Sequence, residues 1–412
     1  MTTAETRPVP PPAEARAFGA PFVLVVASAL AYFVGLGILA PVLPRYVEDE
    51  LGGGGAQVGI VVGAFALTAA LLRPWVGRVG DQRGRRVLVL GGCLVAGVSI
   101  LGYGLPGGLA VLVLMRLVSG IGEAATFVGA ATSAQDLAPP ARRGQATSFF
   151  SIAIYGGLSA GPPLGDWIYR QHGSGPVWVA ASAATLLGAL LALGLPKPDR
   201  TAKKAAPTGP PARGLSGIFH PAALRPGVVL GLAATGYAGF ASFVPLYIDD
   251  IGVSTAGPVF VEYGVIVLAV RILGSRLPDA LGTRRGPLAA LALQAAGLLL
   301  LGAWASPTGL YVGTGIFAAG VSLLYPALFP AVVDAAPEAE RSRAIATFTL
   351  FFDLSQGIGA PVLGLVVAGT NERGAFVGAG LASVAGYLLH RRAPLAPPSH
   401  SGEPCPPPEP GE

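Results

Sequence analysis

Long apolar runs alternate with short polar stretches along the whole chain. The runs fall at about 19–43, 57–76, 87–105, 109–133, 146–169 and 177–195, then at 226–247, 259–276, 287–305, 309–333, 344–368 and 374–390. An α-helix needs about 20 mostly apolar residues to cross a bilayer, and each run is near that length. They are too continuous for the alternating ten-residue segments of a membrane β-barrel. The pattern predicts an all-α membrane protein with twelve transmembrane helices in two six-helix halves. Residues 1–17 and 393–412 are polar and proline-rich and are predicted to be disordered tails. The first half is then 18–195 and the second 226–392. Between them, 196–225 reads as a linker with six basic residues among prolines and glycines.

Composition agrees. Of 412 residues, 52% are hydrophobic and 12% charged, with a mean hydropathy of +0.62. A soluble domain carries about 25% charged residues, so a soluble protein is excluded. The two cysteines, Cys93 and Cys405, and the four histidines form no metal or disulfide spacing. No cofactor is expected, and a membrane enzyme lacks a catalytic cluster. The net charge of +5 is scattered between apolar runs, which points away from nucleic acid.

Those charges sort by side. With the N-terminus placed in the cytoplasm, 21 of the 27 Lys/Arg fall on that side. Only Arg45, Arg170 and Arg373 face outward, and Arg73, Arg116 and Arg271 lie within spans. Basic residues accumulate on the cytoplasmic side of membrane proteins. The expected location is the inner (plasma) membrane, multi-pass, both termini cytoplasmic.

The halves also repeat. Arg73, Arg78, Asp81, Gly84 and Arg86 recur 198 residues later as Arg271, Arg276, Asp279, Gly282 and Arg284. Pro44 and Tyr46 recur at 201 as Pro245 and Tyr247, and Pro162 and Gly165 at 199 as Pro361 and Gly364. Parallel repeats of this kind are a transporter architecture, with a substrate site near the bilayer midplane.

The stretch Gly77-Arg78-Val79-Gly80-Asp81-Gln82-Arg83-Gly84-Arg85-Arg86 joins the second and third spans. It resembles the signature G-x-x-x-D-(R/K)-x-G-(R/K)-(R/K) of the major facilitator superfamily, with Gln82 where that family usually has a cation. The resemblance covers nearly the whole chain and implies that Asp81 latches the cytoplasmic side shut, supported by Gly77, Gly84, Arg85 and Arg86. The degenerate second copy, with Pro278 and Thr283, makes Asp279 structural.

In the fourth span, Arg116 and Glu123 are seven residues apart. That spacing is 700°, which puts both on one helix face with about 10 Å of rise between them. The distance is long for an ion pair, so each is expected to find its own partner. A charge at membrane depth costs about 2.5–3.5 kcal/mol on insertion scales and calls for a reason. The run resembles the R-x-x-x-G-x-G pattern of proton-coupled members, where the arginine is linked to proton transfer. Glu123 is then the proton carrier, since burial raises a carboxyl pKa. The alternative is a pair of structural contacts to other helices. Asp353 in the eleventh span is a second candidate for titration.

In the fifth span, Gly157, Gly161 and Gly165 are spaced by four beside Pro162, which lets helices approach closely. The segment resembles G-x-x-x-G-P-x-x-G, which marks drug/proton antiporters, with Asp166 where a second glycine often stands. This glycine face is expected to pack on a helix of the other half; packing alone is the competing explanation. Tyr32, Tyr155, Tyr237, Phe240, Tyr325 and Gln356 are weak candidates for a substrate cavity. No phosphate-binding loop appears, so ATP is not the expected driver. The reading is a monomeric, proton-coupled exporter of small lipophilic molecules, whose partners are its substrate, protons and lipid. The alternatives are an uptake symporter for a sugar or other metabolite and a transporter-like sensor.

Overall fold

A computed structural model describes residues 18–139, 142–197, 219–274, 277–337 and 340–392. Among these residues stand twelve long helices. The first six are α1 (Ala20–Leu39), α2 (Gly55–Arg83), α3 (Arg85–Leu101), α4 (Gly108–Asp136), α5 (Arg143–His172) and α6 (Ser174–Ala192). The second six are α7 (Pro221–Asp250), α8 (Gly257–Leu273), α9 (Leu277–Ala303), α10 (Pro307–Asp334), α11 (Arg341–Gly369) and α12 (Glu372–Arg392). Nine are long and apolar enough to cross a membrane by length and composition. The other three are α5, which carries Pro162, Pro163 and Asp166, the 17-residue α8, and α12, which ends in His390, Arg391 and Arg392.

Local chemistry sets several ends. Pro21, Pro221 and Pro307 sit in the first turns of α1, α7 and α10, where a missing N–H costs nothing. The Ser306 hydroxyl accepts from Gly309 N at 3.0 Å and caps α10. His220 Nδ1 accepts from Ala222 N, so α7 starts at Pro221. That is five residues before the expected boundary at 226, and Arg225 lies inside the helix. The rest of the expected linker, from 198 to 218, and both tails lie outside the described residues. A second correction concerns the stretch 77–86. It is helix up to Arg83, and the break is Gly84 alone, with φ of +91°. Glycine is the residue that adopts this conformation without strain.

The chain divides into two compact units. Of the described residues, one holds those up to 197 together with Ser254–Gly264, the other the rest. In the first unit α1 packs on α5 and α6, and α3 packs on α4 and α6. In the second unit α7 packs on α11 and α12, and α9 on α10 and α12. Each pairing is thus reproduced six helices later. The first core gathers Phe22, Val25, Ala29 and Tyr32 of α1 with Val89, Cys93 and Ala96 of α3, Ala130 and Ala134 of α4, and Phe150 of α5. Alanine and glycine at these contacts let backbones approach, the usual device where lipid removes the hydrophobic drive between helices.

Candidate functional site

Two glycines set α4 against its neighbours. A Cβ on Gly120 would strike the Phe65 carbonyl on α2, and one on Gly122 would strike Gly92 O and Ala96 N on α3 at 2.6 and 2.7 Å. The next residue is Glu123, whose side chain is 9% exposed. Arg73 Nη2 on α2 donates to Glu123 Oε1 at 3.3 Å, and the guanidinium lies 4.6 Å from the Phe127 ring centroid. The second carboxylate oxygen, Oε2, is buried without a hydrogen-bond partner. A buried carboxylate held through one oxygen can gain or lose a proton at the other. The apolar pattern places Arg73 within a span and assigns it no partner. The signal available was the small number of acids at membrane depth.

Arg116 is held elsewhere. Its Nε donates to the Val61 carbonyl at 3.0 Å and its Nη1 to the Tyr103 hydroxyl at 3.4 Å, with Phe65 beneath it at 4.4 Å. Tyr103 continues to Ser119 at 2.6 Å and Ser119 to Ser99 at 2.8 Å. Arg116 and Glu123 therefore have separate partners, as their separation along the helix requires. Tyr32 of α1 is fully buried with its hydroxyl unpartnered, edge-on to Phe33.

At the α2–α3 turn, Arg85 Nε donates to Asp136 Oδ2 at the end of α4, at 3.4 Å. The pair is exposed and contributes roughly 0–1 kcal/mol. Arg86 is half-buried. A Cβ at Gly77 would meet nothing, whereas one at Gly80 would strike Leu88 and Arg85. Close packing here needs Gly80 more than Gly77. Asp81 lies in the last turns of α2, and its side chain lies outside the described residues.

The glycine face of α5 points inward to its own unit, which corrects the expectation of a partner in the other half. A Cβ at Gly157 would strike Phe33 and Val34, one at Gly161 would strike Gly37, and one at Gly165 would strike Ile38. All are on α1. Gly37 answers this face: a Cβ there would meet Gly157 O at 2.7 Å and Pro162 Cδ at 3.1 Å. The segment 254–264 meets α5 through Ser159 and Pro163, and the glycines at that contact, Gly257 and Gly264, belong to α8. Asp166, 3% exposed, accepts from Arg45 Nη1 at 3.3 Å and Arg170 Nε at 3.1 Å, and from the Thr255 hydroxyl. In the sequence Asp166 is only a departure from a pattern. Its Arg45 partner is 121 residues away.

The remaining candidates disperse. Asp353 is buried on α11, and Gln356 Nε2 donates to the Ala234 carbonyl at 2.8 Å. Phe240 is fully buried against Phe317. Tyr325 stacks on Phe329 at 5.5 Å and meets Phe348 at 5.3 Å. Tyr155 and Tyr237 are half-buried. Among the described residues no group of three or more His, Cys, Asp or Glu gathers to hold a metal.

Comparison with known proteins fits this arrangement. The chain is 29% identical over 390 residues to the uncharacterized MFS-type transporter YhhS of Escherichia coli K12, covering 92% of this chain and 94% of that one. It is 28% identical over 344 residues to the uncharacterized MFS-type transporter STM4428 of Salmonella typhimurium, covering 81% and 86%. By fold it is similar to a bacterial homologue of the human lysosomal transporter Spinster (TM-score 0.70, 17% identity, 91% of this chain and 95% of that one). It is likewise similar to the nucleoside transporter NupG (TM-score 0.70, 14% identity, 89% and 98%). The family model of the Major Facilitator Superfamily matches residues 25–288 and 259–408. With its helical repeat and its charges buried within the spans, the chain is a multi-pass membrane transporter that belongs to the major facilitator superfamily.

Proposed function

We propose that the protein is a proton-coupled exporter of small, lipophilic compounds in the inner membrane, with both termini in the cytoplasm. The observation that carries this reading is the Arg73–Glu123 pair, a carboxylate buried on α4 with one oxygen free. Protonation neutralises Glu123 and frees Arg73. Binding of a proton and of substrate then compete for the same charged site, which is the requirement for antiport. The direction rests on the exporter-like pattern Gly157, Gly161, Pro162 and Gly165, and the orientation on the excess of basic residues on one side. Asp81 serves as the cytoplasmic latch and Asp353 as a second titrating group.

The test is efflux of toxic or fluorescent compounds from preloaded cells, with and without a protonophore. Wild type accelerates protonophore-sensitive efflux, while Glu123→Gln abolishes gradient-driven efflux and keeps energy-independent exchange. Accumulation in place of efflux makes the protein an importer. Gradient-driven efflux by Glu123→Gln at the wild-type rate removes Glu123 from coupling.

A further inference from the structure

Among the described residues, the buried polar atoms of the first unit without a hydrogen-bond partner include the Tyr32 hydroxyl on α1, Glu123 Oε2 on α4, Trp178 Nε1 on α6 and Glu262 Oε2 on α8. The Tyr32 hydroxyl can donate and Glu123 Oε2 can only accept when ionised. The helices bring these two level. Phe22 at the start of α1 shares a core with Ala134 and Ala138 at the end of α4. Tyr32 lies twelve residues after Ala20 and Glu123 thirteen before Asp136. At 1.5 Å per residue these are depths of about 18 and about 20 Å from the same side. Glu123, Tyr103 and Arg116 are within electrostatic reach of the phenol, as is Cys93. The charged and titratable groups facing Tyr32 are thus Glu123 from α4, Cys93 from α3, and Tyr103 and Arg116, while Glu123 itself is paired with Arg73 from α2. From α5 the neighbour is apolar, Phe150 against Phe127.

Arg73 satisfies one carboxylate oxygen. Tyr103 is engaged with Ser119 and Arg116, and Arg116 with the Val61 carbonyl. Of these groups, Tyr32 is the oxygen donor that has no other hydrogen bond. A buried polar group without a partner is costly, above all when charged, so two such groups at one depth need an account.

We propose that Tyr32 is a positioning residue for proton exchange: its hydroxyl is the second hydrogen-bond donor to the Glu123 carboxylate, which turns to it as the pair with Arg73 opens. Glu123 then passes between a cationic partner on α2 and a neutral one on α1 without standing unpartnered. This rests on the reading of Glu123 as the titrating group, and it adds which neighbour sets the pH at which that group works.

Protons are the probe, so no substrate need be known. The full-length protein in lipid nanodiscs is titrated by infrared difference spectroscopy, following the carboxylic-acid C=O stretch. Glu123→Gln assigns the band by removing it. Tyr32→Phe keeps the ring and deletes only the hydroxyl. Loss of one hydrogen bond to a charged group moves the midpoint upward by about one pH unit. In the Glu123→Gln background, Tyr32→Phe leaves the remaining carboxyl bands unmoved. A wild-type midpoint in Tyr32→Phe overturns the role of Tyr32 and leaves Glu123 as proton carrier. An unchanged band set in Glu123→Gln overturns the proton reading itself, and this inference with it.

Discussion

Tyr46 donates to the Tyr103 carbonyl at 3.4 Å, and Tyr247, in the other unit, donates to the Leu301 carbonyl at 3.1 Å. Gly84 and Gly282 each break a helix with a positive φ. Gly122 meets the backbone at Gly92 and Ala96, and Gly320 meets it at Ala290 and Gln294; apart from the first tyrosine pair these correspond at 198 residues. The frame of helix contacts therefore repeats. The buried charges of α4 do not: at the same spacing Arg116 becomes Thr314 and Glu123 becomes Val321, although Arg73 on α2 recurs as Arg271 on α8. Helix α4 is tied to α2 by a guanidinium on the Val61 carbonyl, whereas α10 is tied to α8 by the neutral Ser322 on the Val267 carbonyl. Packing constrains volume and close approach at many positions, so two copies keep it. A buried charge costs free energy, and α10 carries neither of the two that α4 holds.

The frame can be broken in both units alike. Gly122→Leu and Gly320→Leu each drive a side chain into backbone, and each should lower stability by roughly 1–3 kcal/mol or more. Thermal unfolding in detergent reads both, and a harmless substitution in one unit would end the equivalence.

The chemistry should break in one unit only. Arg116→Leu removes donors from Val61 and Tyr103 and should cost about 1.5–3 kcal/mol for a charged hydrogen bond. Thr314→Val deletes a buried hydroxyl that lacks a partner, and should be neutral or stabilising. Equal losses in the two variants would mean that the second unit has a polar network of comparable weight.

The smallest effect tests the finest correspondence. Tyr46→Phe and Tyr247→Phe each remove one neutral hydrogen bond, so each should cost about 0.5–1.5 kcal/mol, within a few tenths of one another. A clear inequality measured by the same unfolding assay would show that the tyrosines bear different loads.

Much of this was legible residue by residue. Twelve apolar runs correspond to twelve helices, and the repeat of Tyr46 and Gly84 corresponds to a repeated tyrosine hydrogen bond and a repeated glycine break. The separate fates of Arg116 and Glu123 followed from helical rise. Less legible were boundaries and facing. The turn at 77–86 contracted to Gly84, since Arg78 and Arg83 are compatible with helix. The glycines of α5 could be read as a packing face, but their spacing says nothing of which helix answers, and the answer was Gly37 of α1.

The sequence by itself thus determined where the chain is helical, where it must turn, and that charges lie at membrane depth. Those follow from local terms: transfer of apolar residues out of water, one glycine's φ, and a fixed rise per residue. Only the tertiary structure decided that Glu123 meets Arg73, 50 residues away, that Asp166 meets Arg45, 121 away, and that Tyr32 comes level with Glu123. Such pairings depend on the rotation and depth of whole helices, which many small packing contacts set together and no single segment encodes.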